Sequence, residues 1–173
     1  MIVTPNLLLV PFSLAHYEAL ATGNSLSLGR LLEINTPQGW TEYFETPAAF
    51  PEQMEFYNQL QGDERWGSYF IIHTADKELI GSCGFKGLPC DKGLVEFGYE
   101  IKPAYRQRGY ATETAMGLVS FAFSQPEING VFALTLPEVN YSVKVLRKCG
   151  LIYKKTIEDP ADGTLWRWEK MRK

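Results

Sequence analysis

With 173 residues, 45% hydrophobic and 21% charged, the chain suits one compact core spanning 1–173, leaves little room for two, and is not composed like a disordered protein. A net charge of −3 argues against a general polyanion binder, so nucleic acid is not an expected partner and any basic site must be local. Cys83, Cys90 and Cys149 are odd in number and not closely spaced. They fit neither a disulfide framework nor a metal site, and they suit a reducing cytoplasm.

Ile2 to Phe12 reads as a strand with Leu7 to Val10 as its apolar body. The run stops at Pro11 and lacks the basic start and the length of a signal or membrane segment, so no membrane association is expected. Ser13 is placed to cap a helix carrying Leu14, Tyr17, Leu20 and Ala21 at helical spacing. A second short helix is expected over Asn24 to Leu32, broken near Gly29. Asn35 to Pro51, with Gly39, Trp40 and three prolines, reads as irregular. Phe50, Met54, Tyr57 and Leu60–Gln61 then suggest another helix.

Ser68 to His73 and Leu79 to Phe85 are β-rich and flank a turn at Thr74–Lys77. After a loop at Gly87–Gly93, Leu94 to Ile101 gives a further strand, stopped by Pro103. Ala111 to Ser124 is helical, Val131 to Leu136 a strand, and Tyr141 to Cys149 a helix ended by Gly150. Leu151 to Ile157 and Leu165 to Lys170 close the chain as strands. This order is a mixed α/β pattern, not a strict βαβ alternation.

Arg106-Gln107-Arg108-Gly109-Tyr110-Ala111 lies between a strand and a strong helix. Free N–H groups and the macrodipole make such a helix start a natural phosphate site, provided the backbone can come close. Gly109 removes a side chain there, Ala111 keeps the next turn small, and Lys102, Arg106 and Arg108 add cations. Glu113 in the first turn is placed to stabilise the terminus. Neither G-x-G-x-x-G nor a Gly-Lys-Ser/Thr loop is present, and the plainer reading is a solvated polar loop.

Arg106-x-x-Gly109-x-Ala111 resembles the Gln/Arg-x-x-Gly-x-Gly/Ala signature of the GNAT superfamily of N-acetyltransferases. Two wider runs resemble the RimJ/RimL-like branch. One is Glu96-Phe97-Gly98-Tyr99-Glu100-Ile101-Lys102-Pro103 followed by Gly109 to Glu113; the other is Thr135-Leu136-Pro137-Glu138 followed by Ser142 and Val145 to Gly150. The resemblance implies a central, mostly antiparallel twisted sheet flanked by helices, with its fourth and fifth strands splayed around acetyl-CoA. It places the pantetheine arm along the backbone of Tyr99, Glu100 and Ile101, and the pyrophosphate on the N–H groups of Gln107 to Ala111, within a loop bounded by Arg106 and Thr112. It also implies Ser142 as hydrogen-bond partner of the departing thiolate, an amine acceptor on a protein N-terminus or a small molecule, and, as is common for such folds, a homodimer.

Two positions depart from the branch. Its asparagine falls at Val139, with Asn140 next to it as the substitute cofactor ligand after a register shift. The tyrosine acid of related enzymes falls at Leu146, which disfavours that version of the mechanism.

Acetyl transfer needs a neutral amine, and an α-amine has a pKa of roughly 7.7–8.0, so a carboxylate or a water relay can serve as base. Both substrates bound together allow direct transfer. Glu96 and Glu100, two apart on one strand face, are the candidate bases and could couple; pairing with Lys or Arg is the alternative. The Tyr99 side chain faces the other way and reads as packing. Cys149, His16 and His73 read as structural. Trp40, Phe44 and Trp66 could wall an acceptor pocket or pack the core. No metal is expected. A non-catalytic acyl-CoA-binding module with the same fold is the competing function.

Overall fold

A computed structural model describes residues 1–35, 38–41 and 50–173. Its framework is an eight-stranded sheet: β1 (Ile2–Val3), β2 (Leu7–Pro11), β3 (Ser68–His73), β4 (Glu78–Phe85), β5 (Leu94–Ile101), β6 (Gly130–Thr135), β7 (Ile152–Asp159) and β8 (Gly163–Met171). The spatial order is β1-β2-β3-β4-β5-β6-β8-β7. Every pairing is antiparallel except β5 with β6. The helices are α1 (Leu14–Ala21), α2 (Ser25–Leu32), α3 (Phe50–Gln59), α4 (Tyr110–Ser124) and α5 (Tyr141–Lys148).

Period-two alternation divides the core between the two faces of the sheet. Leu7, Leu9, Tyr69, Ile71, Val95 and Phe97 pack with α4 and α5. Phe70 and Ile72 turn the other way, toward Tyr17 and Ala19 of α1 and Leu28 and Leu32 of α2.

Four local expectations need correction. The N-terminal segment makes two strands instead of one, because Thr4 to Leu7 closes a turn (Thr4 N to Leu7 O, 2.9 Å) and β1 folds back on β2. The pair expected as fourth and fifth strands is therefore β5 and β6. Gly29 does not break α2; it is buried, and its carbonyl accepts from Ile34 N at 3.0 Å as the helix ends. Pro51 lies in the first turn of α3, where its missing N–H removes no intrahelical bond. The other residues of the expected irregular stretch lie partly outside the described ones.

Glu113 does not act simply on the α4 terminus. Its carboxylate accepts from Thr4 Oγ1 (2.6 Å), Asn6 N (2.7 Å) and Asn6 Nδ2 (3.0 Å), tying α4 to the β1–β2 turn. Partial burial opposes the charge, but these hydrogen bonds outweigh it and hold the Glu113 carboxyl below the usual glutamate range. A depressed carboxyl pKa contributes stability that is complete above the unfolded value and is lost as pH falls through the folded one. Glu113→Gln should therefore lower stability by about 1 kcal/mol near neutrality. It should also flatten the acid limb of the unfolding midpoint below about pH 4.3. Chemical denaturation over pH 3–7 tests this, and an unaltered acid limb would remove Glu113 from the account.

Candidate active site

β5 and β6 pair over only three rungs, Leu94↔Gly130, Val95↔Val131 and Glu96↔Phe132. Beyond Glu96, β5 stays paired with β4 while β6 follows β8, so a gap opens. The direction of the free backbone follows from the antiparallel pattern. Glu96 O accepts from Lys86 N, and Lys102 N donates to Ile80 O, so the even-numbered residues of β5 spend their backbone groups on β4. The backbone groups of Phe97, Tyr99 and Ile101 therefore face the β6 side; Phe97 N–H closes the last rung, and its C=O and the groups of Tyr99 and Ile101 lie beyond it in the gap. Ile101 O already accepts from Arg106 Nε at 2.6 Å. Phe97 and Tyr99 thus present a strand edge that an extended, amide-bearing ligand can join.

The mouth of the gap is the loop before α4. Gln107 (φ 62°) and Gly109 (φ 92°) both adopt left-handed backbone, a pattern that turns successive N–H groups toward one side. Gly109 caps α4 without a side chain, so the N–H groups of Tyr110, Ala111 and Thr112 have no intrahelical acceptor. A Cβ on Gly109 would meet no atom within 4 Å, so the demand for glycine comes from its φ and from room for a ligand, not from crowding.

The expected cations are largely committed elsewhere. Lys102 Nζ bonds Glu78 (2.5 Å), Arg106 holds Ile101 O, and the Arg108 guanidinium lies 5.3 Å from the Tyr105 ring centre. The polar groups that the loop leaves unspent are therefore mainly backbone N–H groups.

A network absent from the sequence reading fixes this loop. Buried His73 on β3 reaches Tyr110 Oη through Nε2 (2.9 Å) and the Asp76 carboxylate through Nδ1 (3.0 Å). Tyr105 Oη, with one hydrogen to share, lies 2.7 Å from the Asp76 carboxylate and 3.1 Å from that of Glu78. The hydrogen bond from Tyr105 is the main influence holding the Asp76 carboxyl below its ordinary range. The β3–β4 turn therefore grips both sides of the loop, at Tyr105 and at Tyr110. From Gly109 a groove of about 720 Å³ runs along α4 past Thr112 and Met116, with Thr4 and Lys148 among its walls.

Glu96 and Glu100 share the opposite face of β5, away from α4. Burial raises the Glu96 carboxyl above its usual range; Lys86 and Arg167 oppose the rise, and Asp159 adds to it. The second carboxylate felt by Glu96 is thus Asp159 of β7, not Glu100 as the coupling expectation had it. Glu100 accepts instead from Ser82 Oγ (2.9 Å) and Thr41 Oγ1.

Ser142 lies in the first turn of α5. Asn140 caps that helix, its side-chain oxygen accepting from Val143 N (3.1 Å), while its Nδ2 group makes no part of the cap. Val139 is exposed, and Leu146 is buried in the main core. The Tyr99 side chain, expected only to pack, carries a buried hydroxyl that faces Ser142, yet the two do not form a well-shaped hydrogen bond. Burial raises the Cys149 thiol, and its Sγ lies 3.9 Å from Thr112 O. His16 Nδ1 accepts from Ser13 N (3.0 Å), in keeping with a structural role. Trp40 and Trp66 are buried against Phe70 and Phe85, and Phe44 lies outside the described residues. Among the described residues no metal-holding cluster and no membrane-crossing helix occurs.

The profile of the acetyltransferase (GNAT) domain matches residues 6–152. An uncharacterized N-acetyltransferase of Bacillus subtilis (strain 168), YjdG, is 29% identical over 112 residues, covering 65% of each chain. A second, p20 of Bacillus licheniformis, is 27% identical, covering 70% of this chain and 64% of its own. The chain thus spans a little less than two thirds of these curated relatives. Among solved structures, a GNAT-family acetyltransferase from Bacillus anthracis superposes with TM-score 0.65 at 19% identity, covering 98% of this chain and 97% of the other. RimL, a ribosomal L7/L12 alpha-N-protein acetyltransferase solved with coenzyme A, gives TM-score 0.71 at 14% identity, covering 98% and 96%.

Tyr110→Phe keeps the ring and deletes the bond to His73. Hydrogen exchange at the amides of 109–113 should then accelerate, by up to about tenfold. Unaltered exchange would mean that His73 does not hold the loop.

Proposed function

Because the chain belongs to the acetyltransferase (GNAT) family, we propose that it is an acetyl-CoA-dependent N-acetyltransferase, moving an acetyl group to a primary amine by direct transfer in a ternary complex. The observation that carries this reading is the gap past Glu96, with the uncapped start of α4 at its mouth. The pantetheine amides join the backbone of Phe97 and Tyr99, and the pyrophosphate rests on the N–H groups of Gln107 to Thr112. The nucleotide end has room in the groove beside Met116.

The amine enters from the other face of the sheet, where Glu96, Glu100 and Asp159 favour a cationic group. Glu96 is the better base, because burial has moved its pKa toward the working range, whereas Glu100 is already held by two hydroxyls. Once the proton has passed to Glu96, directly or through water, the nitrogen lone pair attacks the acetyl carbonyl. The C–N bond forms, the C–S bond breaks with its electron pair left on sulfur, and the thiolate regains a proton to give CoA and an amide. Ser142, at the start of α5, is the hydroxyl placed to assist that departure. We assign the chain to the RimJ/RimL-like branch on its two motif runs, and its acceptor is a protein N-terminus or a small amine.

One observation favours a non-catalytic CoA-binding module. Leu146, where related enzymes place a tyrosine acid, is buried in the core and offers no proton.

Release of CoA thiol from acetyl-CoA in the presence of an amine panel separates the two readings, since a binding module releases none. With an active acceptor, kcat/KM should rise with pH through a limb above the ordinary carboxylate range, and Glu96→Gln should lower kcat about 10²-fold or more and abolish that limb. Persistence of the limb in Glu96→Gln would transfer the role to water or another group.

A further inference from the structure

We propose that the Tyr99 hydroxyl is a second hydrogen-bond donor to the cofactor sulfur, acting beside Ser142, and that the fold leaves it unpartnered for that purpose. The inference rests on the reading of the β5–β6 gap as the acetyl-CoA site.

Three observations converge on it. Tyr99 Oη is buried and makes no well-formed hydrogen bond within the protein, a condition that native structures rarely tolerate without use. Its near neighbour is the Ser142 hydroxyl at the start of α5, so two hydroxyls meet where strand and helix converge. Residue 99 also lies three positions past the last β5–β6 rung, at Glu96. Its backbone faces the gap while its side chain stands off the sheet toward α5, so one residue can bind the pantetheine arm through its main chain and reach the end of that arm through its phenol. Ser142 and Tyr99 are neighbours without a well-formed bond between them, which leaves the phenol hydrogen able to turn to a third atom.

Sulfur suits that place. As the C–S bond breaks, the electron pair settles on sulfur, and a donor already fixed beside it stabilises the charge without reorganising. Burial pushes the Tyr99 phenol up, so it remains protonated and donates a hydrogen bond, not its proton. The proton that finally converts thiolate to thiol comes from solvent or from the proton taken off the amine.

Tyr99→Phe removes only the hydroxyl and keeps the ring stacked near Phe97 (6.5 Å between centres). The thermal midpoint should stay level or rise, since an unsatisfied buried group is lost. By calorimetry, the preference for CoA over desulfo-CoA, which lacks the sulfur, should fall by about threefold to tenfold. In turnover kcat should drop while KM for acetyl-CoA and the pH profile hold, and Ser142→Ala should reduce the same preference. A lowered midpoint with unchanged preference would overturn the inference, because the hydroxyl would then be bonded within the fold. If the unsubstituted protein bound neither CoA nor desulfo-CoA, the cofactor site itself would be misplaced and the inference would fall with it.

Discussion

The architecture turns on a sheet that stops pairing partway along two of its strands. β5 and β6 are parallel and share three rungs before β5 stays with β4 and β6 leaves with β8. A parallel pair needs a crossover, and here the crossover is α4, which must start beside the open end of the pair. The same topology therefore creates a row of unspent backbone groups on β5 and brings a helix N-terminus to its mouth. A ligand that is amide-like at one end and anionic at the other meets both.

Work is divided between the two faces of the sheet. On the α4–α5 side lie the main core, the loop before α4, Ser142 and Tyr99. On the other side lie Glu96, Glu100 and Asp159, with Arg167 and Lys86 near Glu96. Under the proposed function a cofactor threaded between the strands would link the faces, with donor binding and proton removal built from different elements. The loop itself owes its shape to residues distant in sequence. His73, Asp76 and Glu78 of the β3–β4 hairpin hold Tyr105 and Tyr110 from both sides.

What the sequence made legible was whatever depends on local pattern. The strands 68–73 and 94–101 and the turn at Thr74–Lys77 follow from alternation and turn residues. The start of α4 follows from Gly109 and the periodic run after it. What escaped was long-range. Glu113 looks like a helix-terminus residue until Thr4 and Asn6 fold onto it. Lys102 looks like a phosphate ligand until Glu78 takes it, and the cap that Asn140 places on α5 shows only once the helix is in view. Period-two reasoning put Glu96 and Glu100 on one face, but the carboxylate felt by Glu96 comes from β7, through a pairing order that no local pattern encodes. The Tyr99 side chain was rightly placed opposite those carboxylates, yet its hydroxyl acquires meaning only when α5 arrives beside it.

The central claim is that the β5–β6 gap and the start of α4 together form the acetyl-CoA site. Amide chemical-shift mapping during titration with acetyl-CoA tests it most directly. The account predicts that the largest shifts fall in two separate segments, 97–101 and 107–112. Saturable binding with shifts concentrated elsewhere, or no binding at all, would contradict it.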